Sequence, residues 1–164
     1  MLSQAEPAPE IQIRLACPAD APGIIAVVNA AFAVETFFEG TRTDEARMAD
    51  MMSTGEFLVA EEAGQIVASI YVEASGERGY CGMLAVAPAR QGSSLFRRMA
   101  KAVEDHCRER DCTHLDISVL NLRSELPPVY RRMGFVEISR EEFHPSQPLK
   151  PGVEVHSIVM RKQL

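Results

Sequence analysis

GMLAVAPARQGSSLFRRM, residues 82–99, is the stretch on which the reading of this chain turns. Met83, Leu84 and Val86 make a short apolar strand that reaches a bend at Pro88. The bend opens into Gln91-Gly92-Ser93-Ser94, and the chain then becomes an amphipathic helix that begins with Arg97 and Arg98. A strand, a small-residue loop and a helix N-terminus together make a site for a phosphate group, because the first helical N–H groups lack partners and the helix dipole favours an anion. Two arginines in a first turn oppose that dipole, and they make more sense with an anion bound nearby. The same segment also reads as a plain strand-to-helix turn with Ser93 or Ser94 as N-cap, so alone it leaves both readings open.

Outward from this segment, strand and helix signals alternate along the chain. Ile11–Leu15 alternates as a strand, and Asp20 is placed to cap a helix carrying Ile24, Val27, Val28, Ala31 and Phe32, with Pro22 in its first turn. Thr43, Asp44 and Glu45 start a second helix, since acidic residues suit a helix N-terminus. Phe57–Ala60 and Ile66–Val72 read as strands joined at Ala63-Gly64, and Ser75-Gly76 turns the chain into the strand from Tyr80 to Val86. The helix from about Ser93 to Arg110 places Leu95, Phe96, Met99, Ala100, Val103 and Cys107 on one stripe. Leu115, Ile117 and Val119 alternate on the next strand, and a short helix follows from about Glu125 to Met133, ended by Gly134. Strands from Phe135 to Arg140 and Val153 to Met160 finish the chain. The order β-α-α-β-β-β-α-β-α-β-β predicts an α/β fold with a mixed, mostly antiparallel central sheet flanked by helices.

Composition narrows the function classes. The 164 residues suit one domain, expected over 11–164 after a loose tail at 1–10. With 17 basic against 23 acidic residues the net charge is −6, which argues against a nucleic-acid binder yet allows one local basic pocket. No apolar run is long enough to span a bilayer, and the N-terminus lacks a secretion-signal pattern, so a cytoplasmic protein is expected, with homodimer formation left open. The four cysteines form no CxxC pair. His106, Cys107, Cys112 and His114 cluster in sequence, but their spacing does not match zinc-ligand pairs, and no metal is expected.

A second segment, LNLRSELPPVYRRMGF at 120–135, resolves the ambiguity of the first. The two, in this order and at this separation, resemble the GNAT superfamily of acyl-CoA-dependent N-acyltransferases. That family's cofactor motif is Gln/Arg-x-x-Gly-x-Gly/Ala after a strand reading Leu-x-Val, and its late motif is a Tyr followed four residues on by Gly-Phe or Gly-Tyr. Leu84-Ala85-Val86, Gln91-Gly92 and Tyr130 through Phe135 stand in register with it. The element order matches over nearly the whole chain.

The resemblance implies an acetyl-CoA-dependent N-acetyltransferase acting on a primary amine of a small molecule or peptide, with CoA as product. It places the pantetheine arm along Leu84, Ala85 and Val86, and the pyrophosphate on the loop of Gln91, Gly92, Ser93, Ser94, Leu95, Phe96 and Arg97. Arg123 stands where many members have an Asn touching CoA, and Tyr130 stands where the family keeps its general acid. In the loop between the first two helices, Glu35, Phe38 and Glu39 become acceptor-binding candidates, suited to an amine with an apolar body and a positive head. The departures are Ser94 and Phe96, where the family has Gly and Gly/Ala, and Ser118, where some members carry a Glu base. An alkylamine with a pKa of about 10.4 costs about 4–5 kcal/mol to deprotonate at pH 7. Asp116, Glu35, Glu39 and water remain as candidate bases. The missing small residues and missing Glu leave a non-catalytic acyl-CoA-binding module as the alternative. A nucleotide-binding domain of another kind lacks both a Gly-x-Gly-x-x-Gly run and a P-loop lysine.

Overall fold

The computed structural model of the chain describes residues 7–145 and 147–164, so the expected tail at 1–10 lies mostly outside the described residues. Seven strands form one sheet: β1 (Ile11–Leu15), β2 (Glu56–Glu62), β3 (Gln65–Ser75), β4 (Arg78–Val86), β5 (His114–Leu120), β6 (Val136–Glu142) and β7 (His156–Gln163), in the order β1-β2-β3-β4-β5-β7-β6. Every pairing is antiparallel except β4 with β5. Parallel neighbours need a crossover, and α3 (Leu95–Arg108) supplies it. The remaining helices are α1 (Ala21–Ala31), α2 (Glu45–Thr54) and α4 (Leu126–Arg132).

Helices cover both faces, which explains why the central strands read as apolar runs instead of clean alternations. On one face α1 and α2 bury Ile24, Val27, Val28 and Met48 against Phe57, Val59 and Tyr71. On the other, Leu95, Met99, Val103 and Cys107 of α3 pack on Leu58, Ile70, Cys81 and Leu115. The α3 stripe recurs at three- and four-residue intervals, so it turns one continuous apolar edge to the sheet.

Local chemistry sets the element ends. Ala63 and Gly64 both have positive φ (50° and 78°), the two-residue hairpin turn that suits the twist of β2 and β3. Gly134, at φ +98°, ends α4, with the Phe135 N–H donating back to the Tyr130 carbonyl at 3.0 Å. Two expected caps differ. The second helix is capped by Asp44, whose carboxylate accepts from the Arg47 N–H at 2.9 Å, while Thr43 is buried with its N–H on Asn29. Asp20 stands at the start of α1 but makes no side-chain cap: its carboxylate takes the Arg14 guanidinium (2.7 and 2.9 Å) and the Cys17 N–H. A charged partner that also anchors β1 outcompetes a neutral amide of its own helix.

Candidate active site

The site begins where the sheet fails to continue. β4 and β5 pair only over Arg78↔His114 to Cys81↔Ile117. Beyond that, β4 keeps its partner β3 as far as Val86, while β5 keeps β7 as far as Leu120. The two strands part, and a cleft of about 900 Å³ opens between them, walled by Gly82–Leu84 and Val86 on one side and Ser118–Leu120 on the other. A bulge re-aims the backbone there: Met83 and Leu84 together oppose Ile70, and Met83 takes φ +51°. The extra peptide unit of a bulge has no ladder partner. Farther along, Ala87 N–H bonds to the Val67 carbonyl at 2.8 Å. Strand alternation then turns the peptide groups of Val86 away from β3 and toward the cleft. Gln91 Nε2 donates to the Val86 carbonyl at 3.1 Å, tying the loop to the strand end.

The same alternation reassigns one expected contact. Ala85 pairs with Ser69 in β3 and is fully buried under α1, so it supports the strand and does not face the cleft. Leu95 is likewise part of the α3 core stripe, 1% exposed.

The loop before α3 presents donors. Gly92 adopts φ +80°, a conformation that costs little only for glycine. Ser93 Oγ donates to the Arg90 carbonyl at 2.6 Å and accepts from the Leu95 N–H at 3.3 Å, so it caps the turn, while Ser94 occupies the N-cap position without a side-chain bond. Among the described residues, no acceptor meets the N–H groups of Gly92, Ser93, Ser94, Phe96 or Arg97. These orphan donors, the helix dipole and the exposed Arg97 at the rim fit an anionic diphosphate. Phe96 does not fill the loop: its half-buried side chain packs against the α3-side core, with its ring 6.3 Å from that of Tyr130.

Tyr130 lies on α4 across the cleft. Its ring is wedged between Phe96 and Phe135, the latter edge-on at 5.7 Å. Its hydroxyl has no hydrogen-bond partner among the described residues, and the half-buried side chain lines the cleft. Burial pushes its pKa well up, with Arg123 pulling modestly the other way, so the phenol holds its proton at neutral pH.

The acceptor-side candidates separate. Glu35, buried between α1 and α2, lines the cleft and is held by Arg123 Nη1 at 2.8 Å and Arg42 Nε at 3.6 Å. Arg123 also holds Glu125 at 2.7 Å, so two carboxylates take its Nε and Nη1 where it lines the cleft. Phe38 is buried behind Arg42, outside the cleft lining. Glu39 is exposed and lies away from the cleft, with its N–H on the Pro148 carbonyl. Asp116 does not reach the cleft either: Arg161 grips it at 2.7 and 2.9 Å and Arg78 at 2.9 Å. Burial alone raises the Asp116 pKa, but the two arginines outweigh it and hold the carboxyl below its usual value. Ser118 faces the cleft. His106 is occupied by Glu56 at 3.0 Å, and among the described residues no group of three His, Cys, Asp or Glu could hold a metal ion.

One residue of the site carries no sequence signal: Arg42 stands just before the Thr43-Asp44-Glu45 helix start with no motif around it, yet it lines the cleft.

No curated protein sequence matches the chain. Solved structures match it in fold. The ribosomal-protein-S18-alanine N-acetyltransferase from Escherichia coli superposes with a TM-score of 0.75 at 16% identity, covering 94% of each chain. The ribosomal-protein-alanine N-acetyltransferase from Brucella melitensis gives 0.73 at 21% identity, over 93% of this chain and 99% of that one. The Salmonella typhimurium protein yncA, solved with its cofactor acetyl-CoA, gives 0.71 at 20% identity over 93% of each. In sequence, residues 25–145 match the family model described as the acetyltransferase (GNAT) domain. With that match over most of its length, and with parted strands and orphan amides that fit acetyl-CoA, the chain belongs to the GNAT acetyltransferase family.

Proposed function

We propose that the protein transfers an acetyl group from acetyl-CoA to a primary amine of a small molecule or peptide, by direct attack with both reactants bound. The observation that carries this reading is the Tyr130 hydroxyl, left without a partner on the wall of the cleft between β4 and β5. The hydroxyl is absent from the buried unpaired atoms, so it reaches the open cleft, where a ligand can supply the partner that the protein does not. Acetyl-CoA supplies the acyl group as a thioester, activated for attack by a neutral amine.

The chain's own residues divide the remaining work. The amides of Gly92–Ser94, Phe96 and Arg97, with the Arg97 side chain, bind the diphosphate, and the bulged peptide at Leu84 together with the Val86 N–H takes the pantetheine arm as an added strand would. Gln91 positions this edge through the Val86 carbonyl. Tyr130 holds a proton at Oη for the departing sulfur. Asp116 is committed to Arg161 and Arg78, Glu35 is bound to Arg123 with the Arg42 charge 3.6 Å away, and Glu39 lies elsewhere. Water is therefore the proton acceptor for the amine, beside the Ser118 hydroxyl that lines the cleft. Incubation with acetyl-CoA and a panel of primary amines, followed as thiol release and product mass, tests the reading. Acetylated amine in step with free CoA is expected; acetyl-CoA binding without turnover on any amine would leave the non-catalytic module.

A further inference from the structure

Arg42 is the most unusual cation in the molecule. Its guanidinium lies between two aromatic rings, 5.4 Å from the centroids of both Phe32 and Phe38. The side chain is only 18% exposed, and among the described residues it donates no hydrogen bond. Glu35 comes no closer than 3.6 Å, beyond hydrogen-bond distance, and leaves Oε1 and the Arg42 Nε both buried and unpaired. Yet Arg42 lines the cleft, beside Phe32, Ala31 and Met83. Its terminal nitrogens are absent from the buried unpaired atoms, so they reach the open space.

A guanidinium has five donors in a planar fork that matches a carboxylate, and aromatic faces fix its plane. Holding one half-buried with all donors unspent is unfavourable unless something completes it. The charge balance points the same way. Glu35, the one carboxylate of the helix-connecting loop that faces the cleft, is shared by two arginines. This end of the cleft therefore does not offer free negative charge to a cationic head group, which argues against the positive head, though not the apolar body, of the expected amine.

We propose that the amine acceptor is a free amino acid with an apolar side chain, whose carboxylate is gripped by Arg42 while Phe32 and Met83 pack its side chain. The inference rests on the acetyltransferase reading and specifies its substrate. Paired acceptors test it: L-leucine and L-phenylalanine against leucinamide and phenylalaninamide, with putrescine as a dication. Each amide differs from its acid by the missing carboxylate, and its amine is the less basic of the two, so unassisted chemistry at neutral pH favours the amides. The expected result is a preference of at least about tenfold in kcat/KM for the acids, the scale of one charge-assisted hydrogen-bonded contact. Arg42→Gln should abolish that preference through acceptor KM, with acetyl-CoA affinity by calorimetry kept as the check on folding. As a readout apart from turnover, N-acetyl-leucine should bind the CoA complex of the wild type at least about tenfold more tightly than that of Arg42→Gln. Equal use of acids and amides, a preference for putrescine, or no turnover of either amino acid by protein that binds acetyl-CoA overturns the inference while leaving the acetyltransferase reading standing. Failure to bind acetyl-CoA at all would instead strike the reading beneath it.

Discussion

Replacing Asp116 with Asn separates a structural carboxylate from a catalytic one. In the protein Asp116 accepts three hydrogen bonds from two guanidiniums, at 2.7, 2.9 and 2.9 Å, and its side chain is 3% exposed. Asn removes the charge and points an NH2 group at donors. A hydrogen bond to a charged group contributes about 1.5–3 kcal/mol, but Arg161 and Arg78 are 34% and 49% exposed, so solvent screens much of the gain. A net loss of about 2–3 kcal/mol follows, which in a chain of this length lowers Tm by roughly 4–12 °C. The pH dependence has a definite sign. Because the folded carboxyl has the lower pKa, its contribution is full above the ordinary value of 3.8 and is lost as pH falls through the folded value. The gap between wild type and Asp116→Asn should therefore be widest near neutrality and close in acid. Thermal denaturation at several pH values, alongside acetyl transfer at a temperature where both proteins are folded, measures both arms. The expected outcome is a lower Tm with kcat within about threefold. An unchanged Tm with kcat down by 100-fold or more, the scale for losing a general base, would refute the assignment.

Two further predictions address Phe96 and His106. Phe96→Ala removes a half-buried ring that packs on the core and on Tyr130, at a cost of about 1–2.5 kcal/mol, below the usual 3–5 for a fully buried ring. Acetyl-CoA affinity by calorimetry should stay within about threefold, whereas a tenfold gain would mean that the ring obstructs the loop. For His106, burial and then the Arg110 charge lower the pKa, outweighing Glu56, so its stabilising effect is present above the ordinary 6.5 and fades as pH falls below it. His106→Gln should flatten the decline in denaturant midpoint between about pH 7 and 5.5; an identical decline in both proteins would contradict the assignment.

Much of the fold was legible along the chain because each element carries its own periodicity and its own stop signal. The α3 stripe, the Ala63-Gly64 turn and Gly134 after the short helix each announce themselves within a few residues. The site was legible only as far as it is local. Gly92, Ser93 and the Tyr130-to-Phe135 run could be read because loop and helix end lie together in sequence. The parting of β4 from β5 could not, since it depends on each strand keeping a different partner after Cys81 and Ile117. Contacts between distant elements were the part misjudged or missed. Asp116 looked like a base on the right strand until the arginines of β4 and β7 closed on it. Glu39 looked equivalent to Glu35, four residues away, until the loop turned one inward and the other out. Arg42 gained its meaning from Phe32 and Phe38, which surround it only in three dimensions.

The role of Tyr130 is open to one direct measurement. Its hydroxyl makes no hydrogen bond among the described residues, so Tyr130→Phe removes a proton donor without removing a structural contact. Steady-state acetyl transfer and acetyl-CoA calorimetry should be run on the wild type and this variant together. The account predicts a fall in kcat of about 100-fold or more, the scale of general acid catalysis, with acetyl-CoA affinity changed by less than about threefold. Full turnover by Tyr130→Phe with unchanged affinity would contradict it.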